Sequence, residues 1–204
     1  MKTIIAILIL VTTFISCTRE NEVQKAKTLT RLDYSFKSRQ TALQIRLDNL
    51  EETTFRFPCG DEIGTEYYNA QGFQDTLYGY GDHLAWDING LGGGDSDLGD
   101  TLYAISPGIV AEVDYIDYLT IYHKYKDDII KVLYYHMYDP IVKAGQNVKK
   151  GQPIALMGNS GGAYYAHLHF EVMKDTTTFE LFYGIPAGHL DPAVLFPNFK
   201  SKKR

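Results

Sequence analysis

From Gly64 to Phe196, glycine, proline and aspartate interrupt the chain every few residues, and only short runs rich in β-branched and aromatic residues fit between them. Runs of that length suit strands and are too short for stable helices. They predict strands at Leu102–Ile105, Ile109–Tyr115, Leu119–Tyr125, Ile129–Tyr135, Pro153–Met157 and His167–Met173. No helical run lies between successive strands to act as a crossover, so the pattern predicts a mainly β, antiparallel domain. The chain holds 16 tyrosines; strand propensity accounts for them, and a few lining a groove is the functional alternative.

With 204 residues the chain is expected to form one domain with a short appendage. Residues 1–16 read as a secretory signal: Lys2 precedes a run from Ile4 to Ile15 that is too short to span a bilayer comfortably. Its end, Phe14-Ile15-Ser16-Cys17, resembles the lipobox at which bacterial lipoproteins are cleaved and acylated, which makes Cys17 the expected lipidation site. Residues 17–54 then comprise the lipidated cysteine, a polar tether to about Thr28 and a packing segment. In that segment Leu43, Leu47 and Leu50 fit a helix face, while Leu43, Ile45 and Leu47 alternate like a strand; a short helical or mixed segment is expected. The main domain is placed at residues 55–198 and a solvated basic tail at 199–204. If Cys17 carries lipid, Cys59 has no partner, and no intrachain disulfide is expected. The net charge of −5 argues against nucleic acid as a partner.

Within the main domain stand His83-x-x-x-Asp87, His136 at the end of an apolar run, and His167-x-His169. Alternate side chains of a strand share a face, so 83 with 87 and 167 with 169 would each present together. Two imidazole nitrogens and one carboxylate oxygen are a usual ligand set for a catalytic zinc, which keeps its fourth position open. The glycine-rich stretch Gly90–Asp100 follows no phosphate-loop pattern and reads as a flexible loop beside the site.

The runs HLAWDING (His83–Gly90), LYYHM (Leu133–Met137) and HLHFE (His167–Glu171) resemble those of the lysostaphin-type, LytM-like zinc metallopeptidases of bacterial cell walls. The connecting stretches Gly99–Val113 and Val142–Gly161 are similar to that family's framework in the same order, and the likeness runs from about Phe55 to Pro197. The resemblance implies an antiparallel β domain of the duplicated-hybrid-motif type with an open groove across the metal. It implies His83, Asp87 and His169 as the zinc ligands and His136 and His167 as catalytic residues. One of these two would take a proton from a zinc-activated water while the other stabilises the oxyanion; which is the base stays open. Glu171 reads either as an orienter of a histidine or as a structural carboxylate, and His123 and His189 as structural or surface residues. Two departures stand out: Ala85 where the family has glycine, with a methyl that would press on the strand or the groove, and Ala163, Tyr164 and Tyr165 where it commonly has serine or threonine and glycine.

The implied function is hydrolysis of peptide bonds in peptidoglycan stem peptides or cross-links by an extracytoplasmic, membrane-anchored lipoprotein facing the periplasm or the cell surface. The competing reading is a non-catalytic cell-wall binding or hydrolase-activating module, but relatives of that kind lose zinc ligands and this chain retains them all. A biotin- or lipoyl-carrier reading of Val142–Gly158 fails because neither Lys149 nor Lys150 stands in an acceptor context.

Overall fold

Alternation of enclosed apolar and half-open polar positions governs the folded chain, as in Trp86-Asp87-Ile88-Asn89-Gly90 and Leu168-His169-Phe170-Glu171-Val172. The computed structural model describes residues 42–75, 83–160, 164–174 and 188–201, with a few isolated residues before residue 42. The signal at 1–16, Cys17 and Ala163 lie outside the described residues. The chain divides into two units, Met1–Asp48 and Asn49–Arg204. In the first, residues 42–48 are helical, so of the two periodicities read there the helical one is adopted.

The second unit is built of strands β1 (Tyr67–Gln71), β2 (Trp86–Gly90), β3 (Thr101–Tyr103), β4 (Gly108–Val113), β5 (Tyr118–Tyr125), β6 (Asp128–Tyr135), β7 (Met137–Tyr138), β8 (Asn147–Val148), β9 (Pro153–Met157), β10 (Leu168–Lys174) and β11 (His189–Leu190), followed by a 3-10 turn at Pro192–Val194. The larger, eight-stranded sheet runs β1-β2-β10-β6-β5-β4-β8, with β11 also paired to β10; the smaller runs β3-β9-β7. Every pairing is antiparallel, and the fold is the mainly antiparallel β architecture that the sequence predicts.

One apolar cluster joins both sheets. Ile88, Leu119, Ile121, Ile130, Val132, Tyr134, Phe170 and Val172 come from the large sheet, and Leu102, Met137, Ile154 and Met157 from the small one. Phe170 meets Tyr134 edge-on at 5.3 Å and Phe196 at 5.8 Å. Full burial of each such side chain contributes roughly 1.5–3 kcal/mol, and together they fix the register of β10 between β2 and β6. Cys59 is buried and free.

The opposite face of the large sheet carries the polar members of the same strands. Register pairs His169 with Asp87 on one side and with Tyr135 on the other, and Tyr135 with Tyr118. A continuous row, Asp87–His169–Tyr135–Tyr118, therefore crosses four neighbouring strands. The buried residues of β10 and β6 aim this row, because a slip of one residue would turn all of it into the core.

Candidate metal centre

Three donors from two regions of the chain meet at one end of that row. His169 Nδ1 lies 2.8 Å from Asp87 Oδ1, His83 Nε2 lies 3.2 Å from the same oxygen, and the two ring nitrogens are 3.3 Å apart. Tetrahedral zinc with bonds of about 2.0–2.1 Å separates its donors by roughly 3.3 Å. The three atoms already stand at nearly that spacing, and their chemistry, two imidazoles and one carboxylate, is that of a zinc site with an open position. These residues fit the ion.

The route by which His83 arrives differs from the sequence expectation. His83 and Asp87 do not alternate along one strand: β2 begins at Trp86, the chain bends at Ala85, and His83 forms an isolated bridge with Asp75. The bend folds His83 back toward Asp87, and the ring is fixed by its Nδ1, which donates to Gly72 O at 2.9 Å. A carbonyl only accepts, so Nδ1 carries the proton and Nε2 is left to a cation. Ala85 is fully buried, so its extra methyl is accommodated in the protein interior.

His169 is held from its other side. Its Nε2 lies 3.1 Å from Glu171 Oε1, and the second Glu171 oxygen lies 3.3 Å from His189 Nε2. Glu171 thus acts as an orienting carboxylate behind a candidate ligand, the arrangement that fixes tautomer and raises basicity in metal sites. His189, read from sequence as a bystander, extends this line through β11. Only tertiary pairing places it beside β10, so no local signal marks it.

The electrostatics of the metal-free cluster call for positive charge. Burial alone would raise the Asp87 carboxyl, but hydrogen bonds from His169 and His83 outweigh it and hold the group well below the usual carboxylate range. Burial likewise opposes charge on His169, yet the bonds to Asp87 and Glu171 push it up to about 9. Burial raises Glu171 and its contacts with His169 and His189 bring it down to about 2. Two half-buried carboxylates thus converge on His169.

Two further imidazoles stand over the cluster without joining it. The rings of His136 and His167 are 4.7 Å apart, and His136 is 5.9 Å from His169. His167 Nε2 lies 3.8 Å from Asp87 Oδ1. Each is tied at Nδ1 to a backbone carbonyl, His136 to Ser160 O and His167 to Tyr165 O, both at 2.9 Å, so each offers Nε2 for chemistry. His136 sits where the chain leaves β6 for β7 and changes sheets, with φ of 65°. That left-handed conformation is uncommon for histidine and is held in place by the surrounding structure. Gly158 makes room for it, since a Cβ there would stand 2.6 Å from His136 O. Burial, then the His167 and His169 charges, lower the His136 pKa, which keeps that imidazole neutral.

The cleft is bounded by features the sequence flagged. Tyr164 and Tyr165 are 74% and 67% exposed and precede His167 in the chain. The glycine-rich stretch is less free than its composition predicts: Asp97 Oδ2 accepts from Gly90 N at 2.7 Å, and Asp95 Oδ1 accepts from Ala166 N at 2.8 Å. The first bond ties the loop to the end of β2 and the second to the segment entering β10. His123, in contrast, is buried in β5 away from the cluster, with Nδ1 donating to Pro107 O at 3.1 Å, a structural residue as expected.

Residues 81–181, which contain all five site residues, match Peptidase family M23. A 57-residue stretch is 46% identical to the peptidoglycan DD-endopeptidase ShyB of Vibrio cholerae, covering 28% of this chain and 13% of that protein. A 41-residue stretch is 51% identical to an uncharacterized metalloprotease of Haemophilus influenzae, covering 20% of this chain and 9% of the other. The chain thus spans only a small part of either relative's length. Among solved structures, lysostaphin, an antimicrobial peptidase of Staphylococcus simulans, superposes with a TM-score of 0.53 at 21% identity, over 69% of this chain and 55% of that one. This likeness is one of fold.

Proposed function

Because the chain belongs to Peptidase family M23, among the lysostaphin-type, LytM-like peptidases, we propose that it is a zinc-dependent endopeptidase that hydrolyses peptide bonds of peptidoglycan stem peptides or cross-links outside the cytoplasm. The observation that carries this reading is the convergence of two kinds of imidazole at one cleft. His83 and His169 stand with Asp87 at ligand spacing, while His136 and His167 stand over them, each tied to a backbone carbonyl through Nδ1 and, among the described residues, with no backbone partner at Nε2. A module that only binds cell wall has no use for the second pair. The match to a peptidoglycan endopeptidase, though short, supports the substrate class.

Zinc bound by His83, Asp87 and His169 would supply a Lewis acid for the scissile carbonyl and lower the pKa of a water molecule to about 7. The chain's own residues do the rest. Gly72 O and Glu171 hold the ligand rings in orientation. One of the His136/His167 pair accepts the proton of the attacking water at Nε2 and returns it to the departing amine, and the other donates to the oxygen on which charge develops. The open face beyond His169, along Tyr135 and Tyr118, leaves room for an extended peptide crossing the strands. Chain organisation belongs to the same proposal: a signal at 1–16, a lipid on Cys17 that holds the protein to a bacterial membrane, a segment to residue 54 and the peptidase domain at 55–198.

Digestion of purified peptidoglycans of differing cross-bridge chemistry, with mass analysis of the fragments, tests the activity. Fragments with new amino and carboxyl ends should appear, vanish on chelation and return with zinc. A protein that binds zinc and releases no fragment from any wall would instead be a hydrolase-activating module. Replacing Cys17 with serine should release the protein from membranes with catalysis intact, since acylation supplies the anchor; continued sedimentation with membranes would refute lipidation.

A further inference from the structure

His136 is surrounded by a closed circuit of contacts that no part of the hydrolytic scheme above uses. The turn between β4 and β5 is closed by Asp114, whose N–H donates to Tyr118 O and whose Oδ1 accepts from Ile116 N, both at 2.8 Å. The turn delivers Asp117 to His136. Asp117 Oδ1 lies 3.5 Å from His136 Nδ1 and accepts from Ser160 Oγ at 2.5 Å. Ser160 O is the carbonyl that receives the His136 Nδ1 proton. Asp117 O accepts from Met137 N at 3.1 Å. A carbonyl and a carboxylate therefore face the ring at Nδ1, and the residue after it is held through the backbone, at a point where the chain is left-handed and changes sheets.

We infer that Asp117 is a positioning residue for His136, acting with Ser160 to keep Nε2 toward the cleft, and that His136 rather than His167 is the group that takes the proton from water. This deepens the endopeptidase reading and rests on it. The argument is an asymmetry between the two histidines. Both have Nδ1 fixed as a donor, but among the described residues only His136 has a carboxylate behind that nitrogen. When Nε2 gains a proton the ring becomes a cation, and Asp117 stands where its charge stabilises that cation while leaving the neutral ring in the correct tautomer. Among the described residues, His167 Nδ1 has the Tyr165 carbonyl behind it and no carboxylate. Ser160 fixes Asp117 in turn, so that two residues from separate connections define one imidazole.

The test uses the zinc-loaded protein with Asp117→Ala, Asp117→Asn and Ser160→Ala. Outer partners of catalytic groups are worth about 10–100-fold in activity, and that loss is expected in kcat for Asp117→Ala, with KM and zinc content unchanged. Asp117→Asn keeps an acceptor for Ser160 without the charge and should recover the ring orientation but only part of the rate. Long-range proton–nitrogen spectra should show His136 with the proton on Nδ1 alone in the wild type and in Asp117→Asn, and mixed tautomers in Asp117→Ala. Because Asp117 acts through His136, Asp117→Ala should add nothing to His136→Ala, yet should still lower the residual rate of His167→Ala. Wild-type kcat in Asp117→Ala, or an equal effect of Asp117→Ala in both histidine backgrounds, would overturn the assignment. A wild type that holds zinc and cleaves no peptidoglycan would sink the endopeptidase reading itself, while the tautomer spectra would still decide whether Asp117 orients His136.

Discussion

His169 stands directly across from Asp87 in the β2–β10 ladder, its Nδ1 2.8 Å from the carboxylate. The heart of the candidate metal site is thus a cross-strand pair, held in register by Leu168 and Phe170 on the buried side of β10. Only His83 comes from outside the sheet. This division predicts how the site responds to damage.

Replacing His169 with alanine leaves two protein donors on a strand whose core contacts are untouched. The variant should fold and lose stoichiometric zinc and activity together, because a catalytic zinc needs three protein ligands. Metal analysis of the purified variant checks this. Full zinc occupancy would refute His169 as a ligand.

Glu171→Gln keeps the size of the side chain and removes the charge behind His169. The expected result is a zinc affinity weaker by about 10–100-fold, the usual effect of losing a partner behind a metal-bound histidine. His189→Phe, which removes the contact with the far Glu171 oxygen, should weaken binding by less. Competition against a chelator of known affinity measures both. Unchanged affinity in Glu171→Gln would make the carboxylate structural.

The parts of this site that were legible in the sequence are those in which local pattern and tertiary position coincide. His167-Leu168-His169-Phe170-Glu171 announces a strand with one polar face, and β10 is that strand. Pro153–Met157 was bounded to the residue because proline and glycine punctuate both of its ends. The relation of His83 to Asp87 was misjudged, since four-residue spacing fits an alternating strand as well as it fits a bend. Asp117, Ser160 and His189 were not legible at all. Each reaches the site through pairings between distant segments, and a lone aspartate in a hairpin turn looks the same whether or not an imidazole lies above it.

His136 and His167 are not needed to hold the metal. Alanine at either position should retain zinc and bind cell wall, while turnover falls by a factor on the order of 10²–10⁴, the reach of general acid–base and oxyanion effects. The measurement pairs metal content with cleavage rate on the same preparations. Full activity in both variants would remove the proposed chemistry even with zinc in place.

His123 provides a pH test remote from the metal. Burial pushes its pKa down to about 4, against the opposing hydrogen bonds to the Ser106 and Pro107 backbone, and its Nε2 has no hydrogen-bond partner among the described residues. In the unfolded chain the group titrates near its ordinary value of about 6.5. Between those two values the unfolded state binds the extra proton, so the neutral ring's contribution is fully present above about pH 6.5 and is lost as pH falls toward about 4. The difference amounts to on the order of 3 kcal/mol, at no more than about 1.4 kcal/mol per pH unit. His123→Asn removes the titration while keeping a donor near Pro107. Its absolute stability will differ from that of the wild type, but the quantity predicted is the slope: denaturant unfolding across pH 4 to 6.5 should show a shallower loss in the variant, with the carboxylates and metal-site histidines common to both proteins cancelling in the comparison. Parallel curves would mean that the buried ring does not govern acid stability.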